Sequence, residues 1–216
     1  MPGFTQLTNR PGFGRRVAAA VSLPVVAAVA TLGLTATHAD ASTKSAPAQG
    51  KVVARTALTA HTAPSTHAGA NGSYKHGKVI GIDCKMTGTS VGGNKVWYKV
   101  HGEQRWVSAR YVANQGAAPR ACYLHMGSHA KTTAALSVRK APTTHDAKSG
   151  SLKKGQKVTV WCKVTSQSIH GDKTWYYGAK EVKAGNTTFG WISGKYVKGT
   201  HQGESLGYTC NFPTPR

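Results

Sequence analysis

Between Lys157 and Val164 the chain alternates: Val158, Val160, Cys162 and Val164 are apolar, and Lys157, Thr159 and Lys163 stand between them, with Trp161 the exception on the polar side. A period of two buries one face of a strand and leaves the other to solvent. Ile80, Ile82, Cys84 and Met86 repeat the pattern earlier in the chain. Further short strands are predicted at residues 136–139, 174–177 and 190–193, separated by turns such as Ala184-Gly185-Asn186. No convincing helix interrupts them. Several short strands within about 70 residues predict an all-β fold, and a small barrel also removes exposed sheet edges.

The strands belong to a duplication. Leu58, Pro64, Gly77, Ile80, Ile82, Cys84, Trp97 and Tyr98 recur 78 positions later as Leu136, Pro142, Gly155, Val158, Val160, Cys162, Trp175 and Tyr176. After an insertion of seven residues, Trp106, Val107, Ser108, Tyr111 and Val112 recur as Trp191, Ile192, Ser193, Tyr196 and Val197. Two copies of a small domain favour binding over catalysis, because two weak sites on one chain gain avidity.

Each repeat carries two cysteines at matching places. A domain that once folded alone closes its bridge internally, which predicts Cys84–Cys122 and Cys162–Cys210. Each bridge is worth about 4 kcal/mol in the chain-entropy model. Cys122, His125 and His129 have zinc-like spacing. That reading is disfavoured, since the second repeat has no equivalent and Gly127 and Ser128 weaken any helix there. His61, His67, His76, His101, His145, His170 and His201 read as solvated loop positions.

At the N-terminus, Arg10, Arg15 and Arg16 precede an apolar run from Val17 to Leu34, and small residues follow at Ala39-Asp40-Ala41. This is the layout of a secretory signal peptide spanning residues 1–41, against which an uncleaved anchor and a twin-arginine signal are weaker alternatives. A flexible leader (42–51), a first module (52–122), a linker (123–131) and a second module (132–212) are expected to follow. Loss of residues 1–41 removes three arginines and one aspartate from a formal charge of +21, leaving +19. Such an imbalance attracts polyanions, which outside a cell are wall polymers, anionic headgroups and stray nucleic acid.

The second repeat reads Leu136-Ser-Val-Arg-Lys-Ala-Pro-Thr, then Leu152-Lys-Lys-Gly-Gln-Lys-Val-Thr-Val, then Trp175-Tyr, then Gly190-Trp-Ile-Ser-Gly-Lys-Tyr-Val197. In this ordered series it resembles the bacterial SH3 (SH3b) domain over nearly all of residues 132–198. Ser137 and Ala141 depart from the family's Asn and Gly, and residues 178–189 form a long insertion. The first repeat is a degenerate copy, with Thr59, Ala60 and His61 at the Asn-Val-Arg positions. The resemblance implies two SH3-like β-barrels in tandem and, in a secreted protein, association with the bacterial cell wall.

No His-Glu-x-x-His or phosphate loop occurs. The expectation is a non-enzymatic, secreted monomer without cofactor or bound metal. Its expected ligand is peptidoglycan peptide or an anionic wall polymer; a secreted protein target is the alternative, and nucleic acid a weaker one. Candidate ligand residues are Trp161, Tyr98, Tyr176, Tyr111, Tyr196, Lys157 and Lys163. Trp161 stands out because it falls on the polar face of its strand, where the first repeat has Asp83. An exposed tryptophan between lysines suits a sugar ring or peptide, unless the inserted segment covers it.

Overall fold

The computed structural model describes residues 46–122, 127–180, 189–200 and 205–210. The expected signal peptide lies outside them. Among the described residues the fold is all-β, and no helix is long and apolar enough to cross a membrane.

The first repeat comprises β1 (Ala48–Val52), β2 (Ala57–His61), β3 (Ala70–Lys75), β4 (Val79–Val91), β5 (Asn94–Val100), β6 (Trp106–Ser108) and β7 (Val112–Gln115). A single 3-10 turn, Ala109–Tyr111, joins β6 to β7. The second repeat comprises β8 (Ser128–Thr132), β9 (Leu136–Arg139), β10 (Lys148–Leu152), β11 (Lys157–Ile169), β12 (Asp172–Lys180), β13 (Phe189–Ser193) and β14 (Val197–Gly199). Its own 3-10 turn is Gly194–Tyr196, and a short β15 (Tyr208–Thr209) adds in parallel to β11. One sheet runs β3-β2-β6-β5-β4-β1-β7, and the other runs β10-β9-β13-β12-β11-β8-β14, with the same connectivity. The duplication read in the sequence is therefore a duplication of topology.

Two expected boundaries move. Residues 48–51, expected in the leader, form most of β1, paired with both β4 and β7. Residues 128–131, expected in the linker, open β8. Apart from Val52, which ends β1, the inward positions of these strands are small or polar: a Cβ on Gly50 would lie 2.4 Å from Val112 Cγ1, and β8 turns Ala130 and Thr132 inward, so neither strand shows an alternating apolar pattern.

The long strands β4 and β11 bend at matching irregularities, between Ile82 and Cys84 and between Val160 and Cys162. Such a bulge turns one strand to serve two cores. Ile80 and Ile82 face a core with Val52, Leu58, Tyr98, Val100 and Val107. Val158 and Val160 face the equivalent core with Val138, Leu152, Ile192 and Leu206. Beyond the bends, Cys84, Trp97 and Trp106 from one repeat join Cys162, Val164, Trp175 and Trp191 from the other in a third cluster. Both disulfides, Cys84–Cys122 and Cys162–Cys210, lie in this shared core, with the pairing that duplication implies.

The repeats meet along their common Ala-Pro-(Ser/Thr)-Thr-His segments. His67 and His145 occupy the same repeat position, and their rings lie 5.6 Å apart. Contact between equivalent positions is what a two-fold relation produces. The relation is broken at Asp146, buried, which stands where the first repeat has Ala68. Its carboxylate accepts from Ser65 Oγ (2.9 Å), Thr89 Oγ1 (2.7 Å), Thr143 Oγ1 (2.7 Å) and His67 Nδ1 (3.3 Å). Three of those four donors come from the other repeat. A buried carboxylate persists only when its lone pairs are occupied, and here the partner repeat occupies most of them.

Candidate functional site

The seven candidate residues fall in different places. Tyr98 lies in the first core, 6 % exposed, with its hydroxyl donating to Asn114 Oδ1 at 3.0 Å. Tyr176 is half-buried against the second core, and burial first, then Asp172, pushes its hydroxyl pKa up. Lys163 is its cross-strand partner and reaches Ser205 Oγ at 3.5 Å. Tyr196 meets the ring of His170 edge-on at 6.4 Å. Tyr111 is on the surface of the first repeat. Only Lys157 and Trp161 share an outer surface on one strand.

Trp161 is neither fully exposed nor covered. Phe189, the last residue of the insertion, stacks on it with ring centroids 5.4 Å apart and planes 20° apart. Tyr177 lies 6.1 Å away on the same tryptophan and 5.2 Å from Trp191. Below, a Cβ on Gly127 would meet Trp161 at 3.0 Å and Thr159 Cγ2 at 2.1 Å, so the indole and its neighbour flank a position that only glycine fits. Phe189 itself is 49 % exposed. The result is a layered aromatic stack whose outermost ring faces solvent, a geometry suited to a planar or ring-shaped ligand.

The first repeat has replaced this stack with charge. Asp83 stands at the Trp161 position and Lys99 at that of Tyr177. His101 Nδ1 donates to Asp83 Oδ1 at 2.5 Å. Lys99 is buried, and its amine donates to the carbonyls of Glu103 and Val100. Burial holds its pKa below the usual lysine range, against the opposing pull of Asp83 and Glu103. Glu103 also accepts from Tyr74 Oη (2.9 Å) and Arg105 Nη1 (2.5 Å), which closes a network rather than leaving a reactive group.

A second concavity leaves little trace in the sequence. Val53, Arg55, Leu58, His61, Trp97 and Tyr111 line a cleft of about 600 Å³ in the first repeat. Val53 donates its backbone N–H to Tyr111 O at 2.9 Å, which brings two exposed apolar side chains to one rim. His61, expected in a solvated loop, is in β2, edge-on to Trp97 at 5.6 Å, with Nδ1 donating to Ala68 O at 3.0 Å. Tyr111 was the one visible signal of this cleft. The zinc alternative loses its first ligand, because Cys122 is bonded to Cys84; His125 lies outside the described residues.

No protein-family model matches the chain, and none of the curated proteins compared with it matches.

Proposed function

We propose that the protein is an exported, non-catalytic binding protein built from two SH3b-like modules, and that it associates with the bacterial cell wall through peptidoglycan peptides or anionic wall polymers. The observation that carries this reading is the Trp161–Phe189 stack, half-open on the second repeat of a chain with formal charge +21. The matching sheet orders and the SH3b-like blocks of the second repeat support the modular part. The two disulfides fit an oxidising compartment and therefore export. The described carboxylates are engaged in structural contacts, Asp83 with His101, Glu103 with Arg105, Asp146 with its hydroxyls and Asp172 with the Thr174 amide, which argues against acid–base catalysis.

A second reading, a secreted protein that inhibits or docks another protein, draws on the first-repeat cleft with Val53 and Tyr111 on its rim. Cosedimentation of the oxidised mature chain with purified wall sacculi, before and after extraction of their anionic polymers, separates the two. Retention by either preparation supports wall association. Passage of all the protein into the supernatant leaves the protein-target reading.

A further inference from the structure

Lys131, Lys157 and Lys198 are far apart in sequence and adjacent in the fold. Lys131 of β8 pairs directly with Lys157 of β11 on one side and with Lys198 of β14 on the other. Directly opposed residues point to the same face of a sheet. The neighbours Ala130 and Val158 are buried, so the three lysines point outward, and all three are exposed. Adjacent strands lie about 4.8 Å apart, and like charges opposed at that distance disfavour the pairing. Folding alone gives no reason for such a rung. The ion pairs found among the described residues lie elsewhere.

The same outer face continues along β11 to Thr159 and Trp161, about 13 Å from Lys157 at 3.3 Å per residue. Phe189 belongs to it too, since Thr159 pairs with Ala179 and Ala179 with Phe189. At the other end a hollow of about 300 Å³ opens beside Lys131 and Lys198, lined also by Thr132 and Thr200. The first repeat serves as an internal control. Its corresponding rung is Ala113–Lys51–Val79, and Asp83 replaces Trp161. Two copies of one topology share the demands of folding, so a basic and aromatic face present in one copy alone answers to something outside the fold.

We propose that this face binds an anionic polysaccharide: the lysine rung receives successive acidic groups, and Phe189, backed by Trp161, packs against a sugar ring. The inference rests on the reading of export and wall association, which selects a glycan over a nucleic acid as occupant. It places the specificity on the outer face of β14-β8-β11 and on its rim at Phe189 rather than in the first-repeat cleft.

The test is equilibrium binding of the oxidised mature chain to four probes at fixed ionic strength: polygalacturonate, neutral dextran, polyphosphate and single-stranded oligothymidylate. Polygalacturonate is expected to bind most tightly. The triple change Lys131→Gln, Lys157→Gln and Lys198→Gln should weaken it about tenfold, from the loss of three surface charge contacts, and should flatten its salt dependence. Phe189→Ala should weaken polygalacturonate and leave polyphosphate unchanged, and Lys51→Gln in the first repeat should change neither. Wild-type affinity in the triple variant, equal binding of polyphosphate and polygalacturonate, or tighter binding of oligothymidylate would each overturn the proposal. A triple variant that still sediments with sacculi as well as wild type eliminates this face and spares wall association. A wild-type chain that binds polygalacturonate but not sacculi does the reverse.

Discussion

The carboxylate of Asp146 accepts a hydrogen bond from Ser65 Oγ at 2.9 Å, across 81 positions of sequence and from one repeat to the other. With Thr89 and His67 bound to the same carboxylate, the side chain ties the two sheets together at a point buried between them. The repeats are thus neighbours with a common core rather than two beads on a string.

Asp146→Ala should therefore destabilise the whole protein. It strands buried hydroxyls that hydrogen-bond a charged acceptor, a loss of about 3 kcal/mol, and should lower the melting temperature by about 6–12 °C. Asp146→Asn, which keeps part of the acceptor set, should cost less. Calorimetry of the oxidised chain checks both, and an unchanged melting temperature in Asp146→Ala would remove this contact from the account of stability.

Loss of either disulfide should be felt in both repeats, because both bridges lie in the shared core. Cys84–Cys122 spans 38 positions and Cys162–Cys210 spans 48, and each constrains the unfolded chain by about 4 kcal/mol. Replacing either pair by serine should lower the denaturant midpoint and loosen the shared core of both repeats. Urea titration followed by tryptophan fluorescence reads this, because Trp97, Trp106, Trp175 and Trp191 all sit in that core. A loss confined to tryptophans of the mutated repeat would contradict a shared core.

Lys99 imposes a pH dependence of definite sign. Burial lowers its pKa in the folded protein, so between that lowered value and the unfolded value near 10.4 the unfolded state binds more protons. Stability contributed through this group therefore rises with pH across that window. Tyr74, Tyr176 and Tyr177 are pushed up by burial, so they oppose the trend only above about pH 10. Lys99→Met should stabilise the protein near neutral pH and flatten the rise towards pH 10. Chemical denaturation at a series of pH values checks it; a variant whose slope matches wild type would show that Lys99 does not titrate differently on folding.

Gly127→Ala should disturb the aromatic stack. The added methyl would lie 2.1 Å from Thr159 Cγ2 and 3.0 Å from the indole of Trp161, so Thr159 must shift and the ring against it must yield slightly. Overpacking of this kind costs about 1–3 kcal/mol, and the emission of Trp161 should shift. In a Trp161→Phe background the same glycine change should leave emission unaltered.

The strand alternation made β4 and β11 legible, and duplication made the disulfide pairing legible. The strands β1 and β8 leave little trace because, Val52 apart, their inward positions are Gly50, Ala130 and Thr132, which make no alternating apolar pattern. The junction between repeats was hidden for a different reason. Comparing the repeats highlights what they share, whereas the deciding residue, Asp146 opposite Ala68, is a point where they differ. The lysine rung has no sequence signature, because Lys131, Lys157 and Lys198 become neighbours only once β8 and β14 are in place. Trp161 was visible as an anomaly of period two; its partner Phe189 was not, since nothing local in the insertion indicates where its last residue returns to the sheet.

Wall association is tested most directly by cosedimentation with intact sacculi across a salt series. If charge supplies most of the affinity and the Trp161–Phe189 stack the remainder, retention should fall steeply as the screening length shortens to about 8 Å at 0.15 M salt, and a residual fraction should persist that Trp161→Ala abolishes. A chain that stays in the supernatant at every salt concentration would contradict the account.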